Sequence, residues 1–231
     1  MRRERISSER EIILIFADSS LEIIPKHLAK FLGRKRKVRK ESIILNSFWH
    51  YRILHRLKNY EKRGRPDILH SALLLTQDSI LNKSRILRVI IHTIDDKVIY
   101  VNNSWRPPRH YLRFLGLMEQ LFESGQVPPE SDNPLLKLIN KSLKETLNEI
   151  SPEMVIGFSR RGKKNMRFLR SILERHKKVA LIIGAFPKGF FSNEVLGLID
   201  ELIKISDHSL STLYVTARVI VTIENTLKLV D

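Results

Sequence analysis

The chain has 231 residues, 42% of them hydrophobic, enough to core one α/β domain and too many for a disordered tail. Lys and Arg number 41 against 25 Asp and Glu, a formal charge of +16 that goes beyond the needs of solubility and implies a polyanionic partner. With no Cys there is no disulfide, thiolate metal site or cysteine nucleophile.

Residues 11–18 (EIILIFAD) form an apolar, β-branched run bounded by charges, the pattern of a buried strand, and a helix is expected after it. The basic start before this run is broken by Glu4, Glu9 and Glu11 and has no cleavage site, so it does not read as a secretory signal. A run of cations at residues 34–40 (RKRKVRK) follows; such a run is ordinarily a solvated loop. Residues 42–57 then show near-helical spacing after a short strand-like IIL.

Residues 68–81 are helical in pattern, and the runs LRVIIHT (87–93) and 98–101 are joined by four residues as a β-hairpin. A helix is predicted over 111–122 and a helical or irregular segment over 135–150. From residue 152 strands and helices alternate: strand 154–158, basic helix 165–177, strand 179–183, helix 193–203 and a last helix 211–227. Alternation of this kind predicts a largely parallel sheet with helices on both faces. The longest apolar run, VALIIGAFP at 179–187, is far short of the roughly 20 residues of a membrane span. RNA is therefore favoured over a membrane surface as the polyanion, and a cytoplasmic location is expected.

Three constellations can carry chemistry. In KRGRPD (62–67), Pro66 presets a helix start and Asp67 sits in its first turn. Arg65 and Asp67 are spaced so that the carboxylate can orient the guanidinium toward a phosphate or base edge; spacing alone leaves this level with a plain capped helix. In SWRPPRHYLRF (104–114), two prolines fix a turn carrying Arg106, while Arg109 and Arg113, four apart, are expected on one helical face; no carboxylate is near until Glu119, which favours a phosphate-binding surface. Trp105, Tyr111 and Phe114 stand at helical spacing and read as core. Last, IGAFPKGFFS (183–192) is a Gly-rich loop after a buried strand, where α/β proteins place ligands, although it matches neither GxGxxG nor a P-loop. His50 and His55 lack zinc spacing and Ser159 misses the GxSxG elbow by one residue, so metal and hydrolase chemistry are disfavoured.

Taken in order, RGRPDILHSALL, VNNSWRPPRHYLRFLGLMEQL, IGAFPKGFFS and LSTLYVTARVI resemble the ribosome-biogenesis pseudouridine N1-methyltransferases of archaea and eukaryotes over nearly the whole chain. The pattern departs from that family at Pro107, Phe190 and Ser209. The resemblance implies one SPOUT domain over 1–231, with a hairpin and helix insertion near 85–150 and a carboxy-terminal trefoil knot near 152–231. It also implies a homodimer, S-adenosylmethionine as cofactor, and a hairpin loop of small-subunit rRNA as substrate; ribosome-assembly factors and ribosomal proteins are further candidate partners. By motif, Gly184, Gly189, Ile205, Ser206, Asp207, His208, Ser209 and Leu210 line the cofactor, while Arg65, Arg106, Arg109 and Arg113 contact RNA and Asp67 steadies Arg65. No general base is assigned; Asp67 is the nearest candidate. The alternatives are a non-catalytic RNA-binding assembly factor, or a SPOUT enzyme of 2′-O-ribose or uridine N3 chemistry.

Overall fold

The computed structural model describes residues 10–32 and 42–230; the basic run at 34–40 lies outside the described residues. Strand β1, Glu11–Ser19, runs through the middle of an eight-stranded sheet. Its side chains alternate between two cores, Ile12, Leu14 and Phe16 on one face and Ile13, Ile15 and Ala17 on the other, which is why the strand reads as an unbroken apolar run rather than an alternating one.

The sheet order is β4-β5-β3-β2-β1-β7-β6-β8, where β2 is Leu87–Thr93, β3 Val98–Val101, β4 Gln126–Val127, β5 Leu136–Ile139, β6 Met154–Phe158, β7 Lys178–Gly184 and β8 Glu201–Ile203. The five strands β2-β1-β7-β6-β8 are mutually parallel, and β3, β5 and β4 extend the sheet antiparallel. The expected hairpin is therefore present, but its first strand belongs to the parallel half.

Helices cover both faces. On one lie α2 (Pro66–Asp78), α4 (Tyr111–Ser124), α6 (Met166–Arg175) and α8 (Thr212–Thr226), sealing Leu69, Leu73, Phe114, Met118, Leu169 and Val219 against the sheet. On the other, α5 (Leu143–Ile150) brings Leu143, Leu147 and Ile150 down on Ile13, Ile15 and Ile90. Three short helices complete the set: α1 (Tyr51–Leu54), α3 (Ile80–Lys83) and α7 (Asn193–Leu196). No helix among the described residues is long and apolar enough to cross a membrane.

The structure corrects five sequence expectations. After β1 the described residues form only a 3-10 turn, Lys26–Phe31, and of the helix expected over 42–57 only the four-residue α1 forms; together they cover a small separate core of Ile24, Leu28, Leu45, Ile53 and Leu54. The segment 135–150 divides into β5 and α5, the helix starting at a capping box in which Ser142 accepts from Glu145 N and the Glu145 carboxylate accepts from Ser142 N. The helix expected over 193–203 stops at Leu196, and the chain returns to the sheet as β8. There Asp200 fixes the turn, its amide donating to Val155 O at 2.9 Å and its carboxylate accepting from Val155 N at 2.7 Å. Finally, Arg109 precedes α4 rather than sharing a helical face with Arg113.

Candidate functional site

The carboxyl ends of β6, β7 and β8 open on one cleft of about 660 Å³. Its walls are the loop after β7, the segment between β8 and α8, and the start of α2. Seven of the eight residues expected at a cofactor are brought together there: Gly184, Gly189, Ile205, Ser206, His208, Ser209 and Leu210. Asp207 does not line the cleft; its carboxylate is exposed and pairs with Lys204 at 2.8 Å. Arg65 and Asp67, read from the sequence as RNA contacts, stand on the rim of this same cleft.

The loop owes its shape to the residues beneath it. At Gly184 a Cβ would lie 2.6 Å from the Phe186 ring, and Gly189 sits at φ +96°, so both positions require glycine for different reasons. The Gly184 carbonyl accepts from Thr212 Oγ1 at 2.8 Å, tying the loop to the first turn of α8. Ser211 caps that helix by accepting from Tyr214 N, leaving the positive end of a four-turn helix facing the cleft.

The main tether is Asp18, which the sequence reading passed over. A shift in the β1 register between Phe16 and Ser19 turns the backbone at Asp18 to φ +49°. The buried carboxylate accepts from Ser192 N at 2.6 Å and from Ser192 Oγ at 3.0 Å, with Lys62 Nζ 3.7 Å away. Lys62 in turn donates to the Phe190 carbonyl and lies 4.7 Å over the Phe186 ring, so one cation joins the strand end to the loop tip. His92 completes the arrangement: Nδ1 accepts from Asp18 N at 3.2 Å, which leaves Nε2 to donate to Asp96 at 3.0 Å. An acidic residue closing an otherwise apolar strand was the available signal.

At the rim, Arg65 donates to both Asp67 oxygens, Nε at 2.8 Å and Nη2 at 2.7 Å. The hydrogen bond with Asp67 raises the Arg65 pKa further, so the group is a permanent cation held at a fixed angle. The arginine backbone is pinned as well, since Arg65 N donates to Ser20 Oγ at 2.7 Å.

Arg106, Arg109 and Arg113 are exposed and lie outside the cleft. Arg106 donates to its own turn, to the Asn103 and Trp105 carbonyls, both at 2.9 Å. A carboxylate absent from the local sequence comes from α2: Asp78, hydrogen-bonded to Lys83, has a pKa lowered first by that bond and further by the charges of Arg106 and Arg109. The buried His70 binds the two arginine regions together by donating from Nε2 to the Pro108 carbonyl at 2.7 Å and stacking on Phe114 at 4.4 Å. Tyr111 accepts from Asn46 at 2.8 Å; burial, aided by the charge of Asp67, pushes its hydroxyl up to about 12. Trp105 and Phe114 are core, as their spacing predicted.

A cleft at the carboxyl ends of parallel strands, walled by a glycine loop and edged by a clamped arginine, can hold a flat, polar small molecule and present it to an anion. Residues 14–224 match the family model for the EMG1/NEP1 methyltransferase. The chain belongs to that family. The ribosomal RNA small subunit methyltransferase Nep1 of Pyrococcus furiosus is 43% identical over 196 residues, covering 82% of this chain and 87% of the relative. The corresponding Nep1 of Sulfurisphaera tokodaii is 42% identical over 217 residues, or 91% and 95% of the two chains. Among solved structures, Archaeoglobus fulgidus Nep1 bound to S-adenosylhomocysteine superposes with a TM-score of 0.80 at 33% identity, covering 94% of this chain and 98% of that one. The resemblance read from the sequence motifs and the methyltransferase class it implied are thus those of the family.

Proposed function

We propose that this protein transfers a methyl group from S-adenosylmethionine to N1 of a pseudouridine in a hairpin loop of small-subunit rRNA, acting in the cytoplasm as a homodimer. The observation that carries the reading is the joining of two sites in one cleft: the glycine loop and the Arg65–Asp67 clamp face each other across it. The relatives named rRNA small-subunit methyltransferases and the neighbour bound to S-adenosylhomocysteine support the same substrate and cofactor.

The residues present fit this cofactor. Ile183, Phe186, Ile205 and Leu210 offer an apolar slot for a purine, and the amino-terminal turn of α8 offers positive potential for a carboxylate. S-adenosylmethionine supplies an electrophilic methyl group on sulfonium. What the chain must supply is alignment and charge. In pseudouridine N1 is free and bears a proton, whereas in uridine the glycosidic bond occupies it. Methylation at N1 would require that proton to leave, and the ring would then carry transient negative charge. Arg65, with Nη1 unused by Asp67, is placed to stabilise that charge or the flanking phosphate. Asp67 spends both oxygens on Arg65, so we assign it as orienter of the arginine, and the proton leaves to water at the half-exposed rim.

The homodimer is supported by an apolar strip on α8, where Leu213, Tyr214 and Val221 are exposed, and the trefoil knot by the crowding of the two carboxy-terminal loops on one cleft. The test is one hairpin carrying either uridine or pseudouridine at the same position, incubated with labelled cofactor. Methyl transfer to the pseudouridine form alone is expected; transfer to both forms would point to ribose 2′-O or uridine N3 chemistry, and transfer to neither, with cofactor bound, to an assembly factor. Asp67→Asn is expected to keep turnover at saturating RNA while weakening RNA binding several-fold, and abolished turnover at saturation would make Asp67 the base.

A further inference from the structure

We infer that the segment carrying Phe48, Trp49, Tyr51, His55 and Tyr60 is a second RNA-binding surface, a shelf on which unpaired nucleobases flanking the target stack. The inference rests on the RNA-binding reading above and extends it to a surface that reading does not use. The segment reads FWHYRILHRLKNY over 48–60. Ile53 and Leu54 turn inward to the small core, so what the segment presents outward is rings and cations. Phe48 is 86% exposed and Tyr51 64%, and Tyr60 and Trp49 are also open to solvent. Four exposed aromatic residues within thirteen positions form a patch that folding alone does not account for.

The rings hold one another in place. Tyr51 and Tyr60 flank His55 at centroid distances of 4.3 and 4.5 Å, and Phe48 meets Trp49 edge-on at 6.1 Å. Orientation fixed in this way lowers the ordering cost of stacking a base on the outer faces. The charge is complementary to RNA: Arg52 and Lys58 have no carboxylate partner among the described residues, and Arg56 lies 4.1 Å over the Phe31 ring. A symmetric contact with a second copy would set these cations against their own counterparts. Continuity with the cleft decides the occupant. Ser47 N donates to the Gly64 carbonyl at 2.8 Å, next to Arg65, and Asn46 Nδ2 donates to the Tyr111 hydroxyl at 2.8 Å, so the shelf adjoins the arginines that would hold a strand.

The test uses the full chain with two RNAs, a hairpin with an unpaired loop and a blunt duplex of the same stem. The double substitution Phe48→Ala and Tyr51→Ala should weaken hairpin binding about 10- to 100-fold, leave the duplex and S-adenosylhomocysteine affinities unchanged, and leave the salt dependence of binding unchanged because no cation is removed. Phe48→Trp with Tyr51 intact should bind as the parent does. Trp105 is buried, so quenching of tryptophan fluorescence by the loop RNA reads Trp49. Equal losses on hairpin and duplex, or no loss, would overturn the inference, as would a change from dimer to monomer with RNA affinity per subunit preserved, which would make the shelf a protein contact. If the parent protein binds the loop through the shelf yet methylates no hairpin, the enzymatic reading fails and this one stands.

Discussion

The cleft and the arginine surface are built on opposite principles. Around the cleft, the buried Asp18 and Thr212 and the half-buried Ser192 hold the backbone of the glycine loop by short hydrogen bonds, and the shape exists before any ligand arrives. The surface of Arg106, Arg109 and Arg113 is made of exposed side chains whose nearest partners are their own turn and a distant Asp78, so it is positioned but not neutralised. A preformed cleft gives a small ligand its specificity, while an unneutralised surface gives a polyanion its affinity. Arg65 is the exception that joins them, an exposed cation with the rigidity of the cleft.

Salt separates the two regions most sharply. If four arginines contact phosphates, RNA affinity should fall about 50-fold between 50 and 200 mM salt. Cofactor affinity over the same range should change less than about twofold. Filter binding and calorimetry on the same preparation provide both numbers, and equal salt dependence for both ligands would erase the contrast. Next in size is Asp18→Ala, which strips Ser192 and Lys62 of a buried acceptor and should cost about 3 kcal/mol of stability, with at least a tenfold loss of S-adenosylhomocysteine affinity. RNA affinity at the arginine surface should hardly move; a loss there as large as in the cleft would show that the regions are not independent. Gly184→Ala is narrower, since the added methyl presses only on the Phe186 and Phe191 rings, and should weaken cofactor binding about tenfold for about 1–2 kcal/mol of stability.

The same contrast explains what could be read from the sequence. Strands β1, β2, β6 and β7 declared themselves because burial on both faces demands long runs of branched apolar residues. Strand β8 did not: residues 193–203, NEVLGLIDELI, space their apolar positions as a helix does, and only the hydrogen bonds of Asp200 to Val155 return them to the sheet edge. The arginines were legible because like charges crowd together in the chain. Asp18 was not, because its partner Ser192 lies 174 residues away and the one local sign, an acid closing an apolar strand, does not say what it holds. Family motifs supplied the rest, and Asp207 shows their limit: it belongs to the motif but stands outside the cleft.

The smallest effect probes the joint between the regions. Glu22, three residues past the end of β1, is buried against Arg63, and burial raises its pKa to about 7 although Arg63 pulls it down. One of its oxygens, Oε1, has no hydrogen-bond partner among the described residues, as a carboxyl held close to neutrality allows. The folded protein therefore binds this proton more tightly than the unfolded chain. Its stabilising contribution is complete below about pH 4.5 and is lost as pH rises through about 7. Denaturant unfolding should accordingly show the parent losing about 2 kcal/mol relative to Glu22→Gln between pH 5 and 8. Arg63 also pairs with Asp95 at 3.2 Å, so the substitution leaves the arginine one partner and the fold intact. A flat difference between the two proteins across that window would mean that Arg63 keeps Glu22 ionised throughout. The link from the β1 end to the Arg65 rim would then be a permanent ion pair rather than one that pH can loosen.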